Sequence, residues 1–170
     1  HVYRREWYRL RHIHSDEEGQ KMKAEFANPF IKAAVDVVAS ELKVKLSRKE
    51  LKLKAKPEPS LPTFIIIGVT GFVQGQVVYA MDSNFTYEVA KAMLPGKLPA
   101  DLKKLEHSAI CELANMITGK ASIELAGEKN VINITPPAVF TGDAIKIDFL
   151  NLPTISLSFI SSVGGIEVNI

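Results

Sequence analysis

Ser108, Glu112, Asn115 and Gly119 are the residues of this 170-residue chain whose types and spacing could act together as one chemical surface. Intervals of four, three and four return to one side of an α-helix. At ~100° per residue the four positions fall within about 60° of one another. Ala109, Ile110, Leu113, Ala114, Met116 and Ile117 occupy the other side and point to a core. The polar line is unlike an ordinary solvated face, which carries Lys, Glu, Arg and Gln. Ser and Asn compete with the backbone for hydrogen bonds, and a mid-helix Gly costs roughly 1 kcal/mol against Ala. Short polar groups beside a bare glycine leave a low surface that another molecule can approach closely. On it, a neutral amide can donate to or accept from a water, and a carboxylate can hold a cation. Taken alone, the stripe reads more readily as an ordinary exposed helix face ending early at Gly119.

Other constellations carry less. Cys111 stands four residues after His107, within reach on one helix, which allows a thiol hydrolase or redox site. Both are flanked by the apolar side and no third group orients the imidazole, so Cys111 reads as a small buried residue. Thr118 can bond back to its own helix or touch another group. His12, His14 and Asp16 suggest a metal site, but two histidines at i, i+2 face apart on a helix and no further ligand joins them. No metal site is expected.

The elements that must position the stripe follow from periodicity. Apolar spacing predicts a helix over 25–42, with Asn28-Pro29 near its start, and the long stripe-bearing helix over Leu102–Leu125. Lys43–Lys56 alternates in places and predicts one or two half-exposed strands. Phe64–Thr70 and Val73–Met81 predict a hairpin across Gly71, with a bulge at Gly75. Asn84–Leu94 predicts a short helix ended by Pro95-Gly96. Strands are expected near Val131–Thr135, Ala144–Phe149, Thr154–Ile160 and Ile166–Ile170. Long helices against an antiparallel sheet make an α+β fold, and a helix followed by strands occurs twice, a faint internal repeat.

Whole-chain properties set limits. The length suits one domain, and a net charge of +2 implies no nucleic-acid field. One cysteine excludes an intrachain disulfide and fits a reducing cytoplasm. No apolar run approaches the ~20 residues that span a membrane. Residues 1–21, rich in Arg, aromatics and His and holding Trp7, differ from the rest. They read as a leader, an expression remnant or an upstream extension before a single domain over 22–170.

With these residues in view, the chain resembles the CheC/CheX/FliY phosphatases of bacterial chemotaxis. Ser108-x3-Glu112-x2-Asn115 looks like their signature helix. Glu25–Val38 looks like the opening helix of CheX-type members, and Phe64–Asp82 like their glycine-punctuated hairpin. Pro136 and Pro137 lie near where the family places a proline. The resemblance covers Met22 to about Ile170. It implies hydrolysis of the phospho-aspartate of a CheY-like receiver domain, with Asn115 and Glu112 catalytic and Ser108, Glu112 and Gly119 in contact with the partner. CheC-like relatives carry the Glu-x2-Asn pair on two helices. Here Ala33, Ala34, Val37 and Val38 stand in the first, so one site is expected. The resemblance also implies a homodimer, for which the apolar end Ile166–Ile170 offers a strand edge.

The chemistry supports that assignment. An aspartyl phosphate already has a carboxylate leaving group, so positioning and electrostatics are the main levers on a loose transition state. The Asn115 amide can hold a water in line, where a carboxylate alone would repel the phosphoryl oxygens. Glu112 is better used beside the reaction, paired with a lysine of the partner to set the docking register. Mg2+ would come with the phosphorylated receiver, leaving this chain no cofactor of its own. The alternative is a receiver-binding module of the same fold without turnover.

Overall fold

A computed structural model describes residues 17–142 and 147–170, with side chains from residue 25 onward. Helix α1, Glu17–Leu42, buries Ala27, Phe30, Ala33, Ala34, Val37 and Val38. It begins earlier than the apolar spacing suggested. Pro29 therefore lies inside the helix, where it forfeits one backbone hydrogen bond. Packing of the flanking Phe30, Ala33 and Ala34 carries the helix through it. The division drawn between residues 21 and 22 falls within α1. The His12, His14 and Asp16 cluster and Trp7 lie outside the described residues.

The strands are β1 Ser47–Lys54, β2 Thr63–Gly71, β3 Gly75–Met81, β4 Ile132–Ile134, β5 Ala138–Thr141, β6 Thr154–Ser161 and β7 Gly164–Asn169. Two further helices, α2 Ser83–Met93 and α3 Pro99–Ala126, separate β3 from β4. The α+β architecture is as expected. The strands form one antiparallel sheet in the order β1-β6-β7-β3-β2-β4, and β5 continues along the outer side of β2. The internal repeat has a spatial counterpart. Hairpins β2–β3 and β6–β7 meet at the centre, and each half's remaining strand flanks the other half's hairpin, β1 on β6 and β4 on β2.

Lys43–Lys56 holds one strand, within the one or two expected. Other local expectations give way. Gly75 is no bulge, because β2 and β3 pair without a break from Thr63↔Met81 to Val69↔Gly75. The irregularity falls instead between Arg48 and Glu50 of β1. No strand occupies 147–150, and 143–146 lie outside the described residues. The unexpected β5 pairs Phe64↔Phe140 on β2. The C-terminal β7 is internal, paired on both sides, with Ile166–Asn169 buried, so it offers no edge.

Alternation along the strands sorts their side chains onto two faces. Ile65, Ile67, Val77, Tyr79, Met81, Leu157 and Val168 join the helices in the main core. Phe64, Val78, Ala80 and Phe149 make a smaller cluster on the other face, where the Phe64 and Phe140 rings stack at 5.2 Å. Beside that cluster Glu167, 4% exposed, accepts from Ser60 and from Asn169 Nδ2 (2.8 Å) and pairs with Lys54 at 3.2 Å. Burial pushes its carboxyl up, but Ser60, Asn169 and Lys54 together hold it below the usual range.

Candidate active site on helix α3

Helix α3 starts with Pro at its first position and Asp101 in its first turn, both favourable there. Gly127 ends it at φ 59°, its N–H donating to Ile123 O. Ile110, Leu113 and Ile117 are fully buried. Each contributes about 1.5–3 kcal/mol of transfer free energy before entropy is charged. Met116 is only half-buried, whereas Thr118 is wholly inside.

Three further contacts fix the helix on its neighbours. Against α2, buried Glu106 accepts from Thr86 Oγ1 and pairs with Lys103 at 3.2 Å. Against α1, Lys120 donates to Asp36 at 2.8 Å and Lys32 stands 3.5 Å from Glu124. The Lys120 bond holds the Asp36 carboxyl below its ordinary value. Helix α2 is itself set by Asp82, whose Oδ1 accepts from Phe85 N (2.9 Å) while Oδ2 accepts from Gly165 N (2.6 Å). That close approach needs glycine at 164. Its φ is 119°, and a Cβ there would lie 2.5 Å from Asp82 Oδ1.

The stripe faces out from this scaffold. Ser108 and Glu112 are exposed, Asn115 and Gly119 half-exposed, all on the side of α3 away from the sheet. A Cβ built on Gly119 meets nothing within 4 Å. Among the described residues, no hydrogen bond or ion pair engages the side chains of Ser108, Glu112 or Asn115. Their neighbours Lys120, Glu124, Glu106 and Thr118 are all engaged. One carboxylate and one amide, a helical turn apart, thus stand ready for an outside partner beside a floor with no side chain.

Cys111 and His107 do not form a catalytic pair. His107 is exposed, Cys111 is half-buried, and burial pushes the thiol up, away from the reactive thiolate. Among the described residues no group of three or more His, Cys, Asp and Glu could hold a metal ion, and no helix is long and apolar enough to cross a membrane. A cavity of about 750 Å3 opens on the opposite face of the sheet beside Ser60, Phe64 and Phe149, and α3 contributes nothing to it.

Residues behind the stripe were less visible in the sequence. The Tyr79 hydroxyl lies 2.8 Å from Thr118 Oγ1, which donates to Ala114 O at 2.8 Å. Thr118 therefore does both things its type allowed. Nothing in the local sequence linked it to Tyr79, because that contact depends on how β3 meets α3.

Known proteins share both the fold and this helix. Thermotoga maritima has a protein named CheY-P phosphatase CheX that is 38% identical over 82 residues. The match takes in 48% of this chain and 53% of that relative, so the chain spans about half its length. A crystal structure of the chemotaxis protein CheX from Desulfovibrio desulfuricans superposes with a TM-score of 0.75 at 24% identity. It covers 85% of this chain and 97% of the other. The CheX–CheY–BeF3–Mg2+ complex from Borrelia burgdorferi contains a chain that matches at TM-score 0.68 and 25% identity, covering 85% of this chain and 95% of that one. The family model described as chemotaxis phosphatase CheX matches residues 63–159, from the first strand of the central hairpin through α3 to β6. More than half of the chain lies in that match, and the chain belongs to the CheX family of chemotaxis phosphatases.

Proposed function

We propose that this protein dephosphorylates the phospho-aspartate of a CheY-like receiver domain. The observation that carries the reading is the unengaged Glu112 and Asn115 pair beside open Gly119, on the family's signature helix. In this reading Asn115 enters the receiver's active site and holds a water in line with the phosphorus. Glu112 pairs with a lysine of the receiver and fixes the register, and Ser108 contacts it alongside. Gly119 leaves the space that lets the two surfaces close. Mg2+ comes with the receiver, which fits a helix that presents a single carboxylate in its stripe. The reaction is cytoplasmic, and residues 22–170 act as the catalytic domain. The named complex of a related CheX with CheY, BeF3 and Mg2+ supports the partner and the source of the cation.

The test is phosphate release from a phosphorylated receiver with and without catalytic amounts of this protein. Release faster than the receiver's own decay is the expected result. A receiver that binds and decays at its own rate would make the chain a docking module instead.

The protein also acts as a symmetric homodimer in this reading, through β1 rather than β7. On the other outer edge, β4 and β5 are short and separated by Pro136 and Pro137, a poor template for another strand. Strand β1 is longer and bears Leu51 and Leu53, 51% and 61% exposed, opposite core residues Leu157 and Ile155. An antiparallel pair of β1 strands centred on Leu51 sets Glu50 of each copy opposite Lys52 of the other. That makes the edge self-complementary.

A further inference from the structure

We infer that Thr118 and Tyr79 are positioning residues for Asn115, a relay that orients the one turn of α3 on which the water-holding amide stands. The inference rests on the assignment of Asn115 to water positioning and goes one layer behind it. Tyr79 and Thr118 are both fully buried, one on β3 and one on α3, against a core built mainly of apolar side chains. Thr118 has a single hydroxyl proton and gives it to Ala114 O, so the Tyr79 hydroxyl must be the donor in the other bond. Burial pushes the Tyr79 phenol well above its usual value, which keeps that proton in place at any working pH.

The accepting carbonyl matters. Ala114 O belongs to the peptide unit whose nitrogen is that of Asn115. The relay thus runs from the central strand, through two hydroxyls, to the peptide plane that sets the direction of the Asn115 Cα–Cβ bond. The Tyr79 bond ties that turn of α3 to the central strand β3. Stability alone does not account for the pair. Replacing both partners of a buried hydrogen bond by apolar groups of the same shape is often nearly neutral, so phenylalanine and valine would fill this space as well. What they would lack is a fixed orientation.

The experiment uses the full chain with Tyr79→Phe/Thr118→Val as the double variant and Thr118→Ser as the conservative control. The double variant leaves no hydroxyl unpaired, so it avoids the misfolding that Thr118→Val alone risks. Its kcat for phosphate release from a phosphorylated receiver is expected to fall about tenfold with KM within twofold, as a small misplacement of a positioned group would give. Thr118→Ser, which keeps the relay, is expected to match the parent. A second readout needs no turnover: the side-chain amide NMR signals of Asn115 should shift or broaden in the double variant and stay put in Thr118→Ser. A folded double variant with parent kcat and parent Asn115 signals overturns the inference, as does a loss confined to KM. A parent that releases no phosphate refutes the phosphatase reading instead, and the Asn115 signals then decide the relay by themselves.

Discussion

Replacing Asn115 with alanine separates catalysis from folding more cleanly than any other change in this molecule. No hydrogen bond within the described chain engages its amide, and the residue stands half-exposed on the outer side of α3, so nothing internal is broken. Alanine is the better helix former by up to about 0.7 kcal/mol, which makes the variant at least as stable as the parent. The proposed reaction, by contrast, loses the amide assigned to orient a water toward the phosphorus. Loss of a single transition-state hydrogen bond of that kind costs ~10²–10³ in kcat, about 2.7–4 kcal/mol. Receiver affinity should hardly change, because the proposed docking rests on Glu112, Ser108 and the open surface at Gly119. The assay is single-turnover release of phosphate from a phosphorylated receiver, with a melting curve of the same sample as control. An Asn115→Ala protein that turns over as fast as the parent would refute the assignment, and one that melts lower would reveal an internal role not visible in its contacts.

Glu112→Ala should weaken receiver binding, and the deficit should shrink in high salt as screening removes the pair's advantage; titration at two ionic strengths checks this. Gly119→Ala should stabilise the fold by roughly 0.5–1 kcal/mol, since its Cβ meets nothing. Gly119→Leu should fold equally well and lose the receiver, with an undisturbed complex counting against the docking surface. Glu167 is held below its unfolded value of about 4.3, so its stabilisation is complete above that pH and fades as acid carries the protein down through the folded value. Denaturant melts of Glu167→Gln at pH 7 and pH 3 should accordingly show a smaller acid loss than the parent's. Leu51→Lys, on the exposed β1 edge, should turn a dimer into a monomer by light scattering without lowering the melting temperature. A parent that is already monomeric at micromolar concentration would remove that reading.

What could be read from the sequence was whatever local spacing determines. The stripe on α3 was visible because four polar or bare positions contrast with a buried side whose period is that of a helix, and the structure keeps Ser108, Glu112, Asn115 and Gly119 facing out together. The β2–β3 hairpin was visible for a similar reason: apolar runs stop at Gly71 and resume near Gly75. The failures share a different cause. Ile166–Asn169 lie at the end of the chain, and only their pairing with β3, far away in sequence, makes them central rather than an edge. Nothing within the strand records that neighbour. Pro29 reads locally as a helix start, yet tertiary packing of Phe30 and Ala33 outweighs one missing hydrogen bond.

The near-twofold arrangement of the sheet sharpens the argument about the site itself. Two helices, α1 and α3, pack over the sheet. Each carries a carboxylate three residues before an amide outside the core, Glu25 and Asn28 on α1 and Glu112 and Asn115 on α3. Seven residues past the carboxylate, α1 has the exposed Lys32 where α3 has the bare Gly119. In α1 the residues Ala33, Ala34, Val37 and Val38 are all buried, so polar groups introduced there would enter the core rather than a docking surface. A second site at those four positions would need α1 to turn its buried side outward, and Lys32, Asp36, Glu124 and Lys120 pair across the two helices in a way that opposes such a turn. The exposed stripe on α3 is therefore a consequence of how the helices pack, and the same packing holds Asn115 where a receiver could reach it.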